Sequence, residues 1–159
     1  MIKNLIVRGV TYEADIIRLT VCYEVLDEAA LANIFTTLAE SGINVDTAVQ
    51  ILMDGEKPII SLSIEKEEFA EALSVLESSK GSLGFSFADF EVGLAKVSVV
   101  GADMMTDLGL TARMLSRLSR EGIQVKMVST SEIKVTVIIP QDDMIRAANA
   151  LYDEFQLVS

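Results

Sequence analysis

The chain has 159 residues, of which 50% are hydrophobic and 23% are charged, and its mean hydropathy is +0.41. This composition is typical of a folded globular protein with one or two small hydrophobic cores, and it excludes a disordered chain. The 13 Lys and Arg stand against 24 Asp and Glu, and the formal charge of −11 opposes binding to nucleic acid or to an anionic membrane surface. No apolar run approaches the roughly 18–20 residues that cross a bilayer and no signal peptide is recognisable, so we expect a soluble, cytoplasmic protein.

The residue types also argue against catalysis and metal binding. The chain contains no histidine, which is the usual general base and the commonest metal ligand. It also contains no glycine-rich nucleotide-binding motif. The single cysteine, Cys22, lies in a strand pattern and is predicted to be a buried structural thiol. We therefore predict no catalytic residue, no metal and no cofactor in this chain.

An internal repeat divides the chain into two copies. Residues 40–45 (ESGINV) reappear as residues 120–125 (REGIQV), a displacement of 120 − 40 = 80 positions. Upstream, residues 19–21 (LTV) resemble residues 97–99 (VSV), displaced by 97 − 19 = 78. A repeat of this length indicates a duplicated domain and not a solenoid of short units.

The first copy is predicted to run strand, helix, strand, strand, helix, strand. Residues 17–23 alternate between apolar and polar, as in a strand with two unlike faces. The first helix, ending near Gly42, is predicted from the apolar stripe Leu31, Ile34, Phe35 and Leu38. Residues 45–53 and 58–64 are predicted as a hairpin with its turn at Asp54-Gly55. A second helix is predicted from Phe69, Ala72, Leu73 and Leu76, and a closing strand from residues 85–92.

The second copy repeats this pattern without a closing strand. Its first strand includes residues 97–99, and its first helix, ending before Gly122, is predicted from Ala112, Leu115, Leu118 and Ser119. Strands follow at residues 125–130 and 133–139. The last helix is predicted from Met144, Ala147, Ala148 and Leu151, with Asp142 and Asp143 at its positive N-terminal end.

The order of elements predicts an α+β protein made of two ferredoxin-like βαββαβ units in tandem. The second copy runs out of chain at Ser159, and residues 5–7 are the remaining strand-like run, so the N-terminal strand is predicted to complete the second unit. The predicted domains are residues 14–92, and residues 93–159 together with 1–12. Apolar residues opposite the helix-facing ones, such as Ile59, Val100 and Ile138, predict an uncovered sheet face that associates with a second chain, unless the two units cover one another.

The loops between the first strand and the first helix of each copy, residues 24–29 and 101–109, are candidate ligand sites. Unpaired N–H groups at a helix N-terminus attract the carboxylate of a free amino acid. The alternative is that Gly109 only shapes the turn and Asp107 only caps the helix. The first copy contributes the candidate effector-binding residues Asp27, Ala29, Ala30, Asn44, Val45, Asp46 and Gln50. The second copy contributes Asp107, Leu108, Gly109, Leu110, Gln124, Val125, Ser129, Thr130, Ser131 and Glu132.

The stretch at residues 128–135 (VSTSEIKV), together with residues 99–102 (VVGA), resembles the regulatory region of bacterial aspartokinases, a tandem pair of ACT domains. The resemblance covers nearly the whole chain, with residues 7–10, 41–46, 95–101 and 150–157 in family order. It implies a homodimer that binds lysine, threonine or both at interfaces between ACT units. Binding would shift an attached aspartokinase catalytic domain or subunit toward an inactive arrangement and so feedback-inhibit phosphorylation of L-aspartate by ATP. The kinase motifs are absent, and this chain alone is expected to phosphorylate nothing.

The sequence departs from the family pattern in the first loop. Where relatives carry an Asp-Lys-Pro-Gly-type loop, this chain has Leu26, Asp27, Glu28 and Ala29, which add a Cβ and a negative charge where a ligand carboxylate should lie. The second loop keeps Gly109 but lacks the His-Pro pair common in the family. Two alternatives therefore remain: an assembly module that has lost effector binding, or an ACT regulatory subunit of another amino-acid biosynthetic enzyme, such as acetolactate synthase. An RNA-binding protein of the same topology is disfavoured by the charge.

Overall fold

The structure, a computed structural model, describes residues 7–25, 27–45, 47–51, 55–102 and 109–157. These residues form an α+β fold. The strands are β1 (Val7–Cys22), β2 (Thr47–Ile51), β3 (Ile59–Glu65), β4 (Phe87–Gly101), β5 (Met127–Thr130) and β6 (Lys134–Pro140). The helices are α1 (Ala30–Glu40), α2 (Lys66–Ser78), α3 (Lys80–Leu83), α4 (Leu110–Arg120) and α5 (Met144–Glu154), with a 3-10 turn at Gln141–Asp143 before α5.

The chain folds as two compact units. Unit I is Ile16–Val92, and unit II combines Met1–Asp15 with Gly93–Ser159. The strands are hydrogen-bonded in the order β2-β3-β1-β4-β6-β5. The first half of β1 therefore belongs to unit II, which confirms that the N-terminal strand completes the second ferredoxin-like fold. Leu5 and Ile6 of the predicted strand lie outside the described residues.

The strands β1 and β4 are each continuous where the sequence predicted two separate strands. Each runs through both units, and each contains a residue with a left-handed backbone at the unit boundary: Asp15 with φ 61° and Gly93 with φ 73°. Such a residue redirects a strand without ending it, so hydrogen bonding continues on both sides. The two positions are 93 − 15 = 78 residues apart, the displacement of the repeat, so β1 and β4 are themselves copies of one another.

The core of unit I lies between its sheet and helices α1 and α2. The helix-facing residues of β1 and β3, such as Leu19, Val21 and Leu62, alternate with polar ones and are fully buried. They pack on Ile34, Leu38, Ala72 and Leu76 of the two helices. Burial of each such large apolar side chain stabilises the fold by about 1.5–3 kcal/mol. The predicted positions of both helices are confirmed.

The core of unit II has the same arrangement as that of unit I, but the apolar stripe of α4 differs from the predicted one. Helix α4 buries Leu110, Met114 and Leu118 against Val97, Val99, Val135, Val137 and Ile139. The predicted stripe through Ala112 and Ser119 is wrong, because both residues are exposed. Three large apolar side chains at i, i+4 and i+8 bury more apolar surface than Ala and Ser can, and this difference sets the rotation of the helix.

Helices α1 and α4 end in the same way, as the repeat predicted. After α1, the Ile43 N–H donates to the Leu38 carbonyl (3.0 Å), and after α4 the Ile123 N–H donates to the Leu118 carbonyl (3.0 Å). The glycine that precedes the hydrogen-bonding isoleucine, Gly42 in the first copy and Gly122 in the second, has a left-handed backbone. This geometry closes the helix by satisfying its last carbonyls.

The sheet face opposite the helices carries a hydroxyl pair in each unit. Thr20 bonds Ser61 (2.8 Å) in unit I, and Ser98 bonds Thr136 (2.7 Å) in unit II, at equivalent positions of the repeat. Ile138, on the same face of β6, is 1% exposed. The expectation of an uncovered apolar face is therefore wrong at Ile138, while Ile59 and Val100 are half-buried.

Three local predictions also change in detail. β5 is shorter than expected, β2 does not include Val45, and residues 52–54, with the predicted turn residue Asp54, lie outside the described part of the chain. The short helix α3 was not predicted. Cys22 is half-buried at the end of β1 and not fully buried, and burial, with a smaller effect from Asp89, raises the pKa of its thiol.

Candidate functional site

The loop of unit I that precedes α1 is organised by Asp27. Its carboxylate Oδ1 accepts a hydrogen bond from the Ala29 N–H (2.9 Å), and its carbonyl accepts one from the Ala30 N–H (3.3 Å). Ala29 is the N-cap residue and Ala30 is buried in the core, so neither side chain supplies a polar contact. No side chain caps α1. The N-terminus of this helix therefore points its first N–H groups toward the loop, as the site prediction requires.

The polar residues predicted to lie beside this loop are not all near it. Gln50 pairs with Ile60, which pairs with Val21, so Gln50 lies at the loop end of the sheet. Asn44 lies at the opposite end, where its N–H donates to Glu68 Oε2 (3.3 Å) at the start of α2. The length of β3, about 20 Å at roughly 3.4 Å per residue, separates the two ends. Within one unit, Asn44 and the loop therefore cannot contact the same small ligand.

The remaining unit I candidates add little to a site. Val45 is half-buried and packs against the core. Asp46 lies outside the described residues.

In unit II, the corresponding loop ends at Gly109, the N-cap of α4. Its backbone is right-handed (φ −88°, ψ −8°), so the conformation itself does not require glycine, and none of the described side chains caps the helix. The next residue, Leu110, is buried in the core. Asp107 and Leu108 lie outside the described residues. Whether Asp107 caps this helix, as the alternative predicts, is a question that lies outside the described residues.

The polar turn of unit II is held by Ser131. Its N–H donates to the Lys134 carbonyl (2.8 Å), and its hydroxyl accepts from the Lys134 N–H (3.2 Å). The Gly101 N–H donates to the carbonyl of Ile133 (2.8 Å), which places this turn at the end of the sheet where the second loop begins. The exposed side chains at this end of β5 are Ser129, Thr130, Ser131 and Glu132. The structure therefore brings this group of predicted residues to the Gly109 end of unit II.

Gln124 and Val125 lie at the other end of unit II and line an open groove of about 470 Å³. The groove runs between α4 and the edge strand β5, and its other lining residues are Leu115, Ser119, Gly122, Ile123 and Val128. Val128 is 42% exposed, and Phe35, the unit I counterpart of Leu115, is 37% exposed although it was predicted to face the core. This apolar surface was not among the features predicted from the sequence. The available signal was that Phe35 and Leu115, displaced by 115 − 35 = 80, are large apolar residues at equivalent positions of the repeat.

Tyr23 is a further residue that sequence reasoning missed. It is 2% exposed, directly precedes the unit I loop, and its hydroxyl has no hydrogen-bond partner among the described residues. Burial, with a smaller contribution from Asp27, raises the pKa of this hydroxyl above its usual value. A neutral, buried hydroxyl therefore lies beneath the loop.

The described part of the chain holds no group of three or more side chains that could bind a metal ion. Among the same residues, no helix is both long and apolar enough to span a membrane.

The fold of the two units is that of a tandem pair of ACT domains. A family model described as an ACT domain matches residues 97–155. The chain is 45% identical, over 157 residues, to an aspartokinase from Bacillus sp. (strain MGA3), and the match covers 99% of this chain and 38% of that protein. The regulatory subunit of aspartate kinase from Thermus thermophilus, in a ligand-free form, superimposes with a TM-score of 0.86 at 28% identity, covering 94% of this chain and 98% of that one.

A crystal structure of aspartokinase alpha and beta subunits contains a chain with the same TM-score, 0.86, and 28% identity, covering 95% of this chain and 99% of that one. Along nearly its whole length, this chain is therefore similar to the tandem ACT regulatory region of aspartokinases. It spans 38% of the length of the curated relative it matches.

Proposed function

We propose that this chain senses a free amino acid and feedback-inhibits an aspartokinase catalytic domain or subunit. The observation that carries the proposal is that α1, which follows the unit I loop, begins without a cap from any described side chain. The N–H groups of an uncapped first turn and the positive end of the helix dipole suit the α-carboxylate of an amino acid. The resemblance to aspartokinase regulatory regions supplies the class of effector, lysine or threonine.

The position of Asn44 supports a site shared by two copies of the chain. Because β2 is an edge strand, it can pair antiparallel with β2 of a second copy. A two-fold axis between the strands would bring the loop of one protomer next to Asn44 of the partner subunit, although the two are far apart within one unit. The same operation at β5 would bring the Gly109 end of unit II beside Gln124 of the partner subunit. We therefore propose a homodimer paired through the sheet edges.

Charge favours lysine over threonine as the effector. Unit I holds 4 Lys and Arg against 14 Asp and Glu, a formal charge of −10, whereas unit II holds 9 against 10, a charge of −1. Lysine carries one net positive charge and threonine none, so the field of unit I attracts only lysine at long range. The side-chain ammonium of lysine also matches Glu28, which opposes the ligand carboxylate.

The regulatory effect requires only a small energy difference. An effector that binds the inactive arrangement of the enzyme more tightly by roughly 1–3 kcal/mol shifts the equilibrium by a factor of about 5–150. In this proposal the effector binds at the dimer interface, whose geometry would differ between the two arrangements.

The test is calorimetric titration of the folded dimer with lysine and with threonine, with the oligomeric state checked by analytical ultracentrifugation. We expect saturable binding of lysine and weaker binding of threonine. The variant Glu28→Gln should lower the preference for lysine, and the matched variant Glu77→Gln, at an exposed carboxylate of α2 outside the candidate site, should change it less. A folded dimer that binds neither amino acid would contradict the sensing role.

The second candidate is an assembly module that has lost effector binding. It is favoured by Glu28 and Ala29 in the first loop and by the use of the Asp27 carboxylate in a local turn. Deletion of this region from a full-length aspartokinase should then change the oligomeric state and leave inhibition unchanged. A regulatory role for another biosynthetic enzyme is disfavoured by the aspartokinase relatives, and a titration with valine tests it.

A further inference from the structure

A small polar cavity of about 160 Å³ lies in unit II, on the sheet face opposite the helices. Its lining residues come from β1, β4 and β6: Thr11, Tyr12, Glu13, Lys96, Ser98 and Lys134. Lys96 and Ser98 alternate with the core residues Val97 and Val99, which places their side chains on this face. The cavity is thus a product of the strand pairing and not of a loop.

The cavity carries an excess of positive charge. Lys96 Nζ lies 3.2 Å from Glu13 Oε2, and its side chain is only 17% exposed. Lys134 adds a second cation, so the lining sums to one net positive charge in a chain with a charge of −11. A cation in a partly desolvated pocket interacts more strongly with an anion than a surface lysine does.

A hydroxyl donor is also present on the cavity wall. The hydroxyls of Ser98 and Thr136 are 2.7 Å apart, and one of them donates its proton to the other. When Thr136 donates to Ser98, the Ser98 proton remains available for a ligand in the cavity. Two ammonium groups and one hydroxyl are the donors that bind a small oxyanion.

Comparison with the equivalent position in unit I shows which residues of this cavity belong to the repeated fold and which are particular to unit II. There, Arg18 pairs with Glu91 (2.7 Å) at the positions of Lys96 and Glu13, so the ion pair is common to both units. Lys134 pairs with Val100 as Ile59 pairs with Cys22, which makes Ile59 its counterpart. The counterpart of Thr11, 78 residues later, is Asp89. Unit I therefore has one cation fewer and one carboxylate more.

We propose that the cavity of unit II binds a small oxyanion, a carboxylate or a phosphate-sized group, between Lys96 and Lys134. The volume is about five times that of one water in the liquid, roughly 30 Å³, which admits such a group and excludes a drug-sized or nucleotide ligand of roughly 300 Å³ or more. The backbone of Lys134 contacts the Ser131 turn, but none of the cavity's lining residues is a candidate amino-acid-binding residue, and this proposal does not depend on amino-acid binding.

The test is a titration of the isotopically labelled chain with inorganic phosphate and, separately, with acetate, at constant ionic strength, followed by NMR of the Ser98 and Thr136 amides. We expect saturable shifts with at least one of the two anions. The affinity for that anion should be retained in Lys134→Arg. It should fall at least about tenfold in Lys134→Ile, which corresponds to a difference of about 1.4 kcal/mol in binding free energy. Lys57→Ile, which removes an exposed lysine of unit I, is the matched control and should bind as the unmodified chain does.

A second variant keeps the test decisive if Lys134→Ile does not fold. Thr11 is exposed, so Thr11→Asp should leave the fold intact while placing in the cavity the carboxylate that unit I carries, and it should abolish binding. Saturation by acetate alone would identify a carboxylate ligand, and saturation by phosphate alone a phosphate. Saturation by neither, or equal binding by Thr11→Asp and the unmodified chain, would overturn the proposal.

Discussion

At the scale of single residues, the continuity of β1 and β4, the two strands that run through both units, depends on the backbone conformation of Asp15 and Gly93. Both adopt a left-handed backbone, which costs most L-residues roughly 1–2 kcal/mol but costs glycine nothing and Asp or Asn less. The Asp15 N–H donates to Gln141 Oε1 (3.0 Å), which holds the strand in this conformation. The repeat has thus kept the backbone geometry with two different residues that tolerate it.

This geometry gives a first prediction. Asp15→Val should lower the free energy of unfolding by about 1–2 kcal/mol, because a β-branched residue is strained at positive φ. Asp15→Asn is the matched control and should change it by less than about 0.5 kcal/mol. Urea denaturation of the three proteins measures the difference. Equal stability of the two variants would show that the left-handed backbone is not maintained in solution.

The buried hydroxyl of Tyr23 gives a second prediction. A buried hydroxyl without a partner costs about 1–3 kcal/mol, so Tyr23→Phe should raise the free energy of unfolding by about 1 kcal/mol at neutral pH. Tyr12→Phe, at an exposed tyrosine, is the control and should have little effect. If Tyr23→Phe were destabilising instead, the hydroxyl would have a partner in solution.

The raised pKa of Tyr23 fixes the direction of a pH effect in the same pair of proteins. Because the folded state favours the neutral hydroxyl, its contribution to stability is fully present below the unfolded pKa of about 10. This contribution is lost as the pH rises above 10 toward the folded pKa. The stability difference between Tyr23→Phe and the unmodified chain should therefore grow in alkaline denaturation experiments.

At the scale of elements, the helices of unit II are joined by an ion-pair network. The Glu154 carboxylate of α5 contacts three arginines of α4: Arg113 (3.2 Å), Arg120 (3.0 Å) and Arg117 (3.6 Å). The Arg113 guanidinium also lies 4.8 Å from the centre of the Phe155 ring. Because several charges share one partly buried carboxylate, this network contributes more than an isolated surface pair does.

The network gives a third prediction. Glu154→Gln should lower the free energy of unfolding by about 1 kcal/mol, and high salt should reduce the effect. Glu24→Gln, which breaks an exposed pair with Lys57, is the control and should have a smaller effect. Thermal and urea unfolding at low and high salt measure both variants. An equal effect of the two substitutions would contradict a stabilising role for the network.

At the scale of the whole molecule, the apolar groove beside β5 predicts how two copies associate. Val128 is exposed in the groove, so Val128→Lys should leave the fold intact and weaken the proposed dimer at least about tenfold, by placing a charge in an apolar interface. Ile145→Lys, on the exposed side of α5, is the matched control and should dimerise normally. Sedimentation velocity over a concentration series measures both. Unchanged dimerisation of Val128→Lys would exclude this edge as the interface.

The unequal charge of the two units predicts a salt dependence. If unit I attracts lysine through its charge of −10, the affinity for lysine should fall several-fold as the ionic strength rises, whereas that for threonine should change little. Calorimetry at low and high salt tests this. A salt-independent affinity for lysine would show that local contacts alone select the effector.

The amino-acid sequence by itself determined the duplication, the order of elements in each copy, the stripes of α2 and α5, and the closure of the second unit by the N-terminal strand. These features depend on local periodicity and on the number of elements available, and both can be read along the chain. The tertiary structure alone decided the continuity of β1 and β4, the rotation of α4, the hydroxyl pairs, the cavity at Lys96, and the separation of Asn44 from its loop. These features arise from contacts between residues that are 24 to 126 positions apart, and a local pattern does not specify which distant residues will meet.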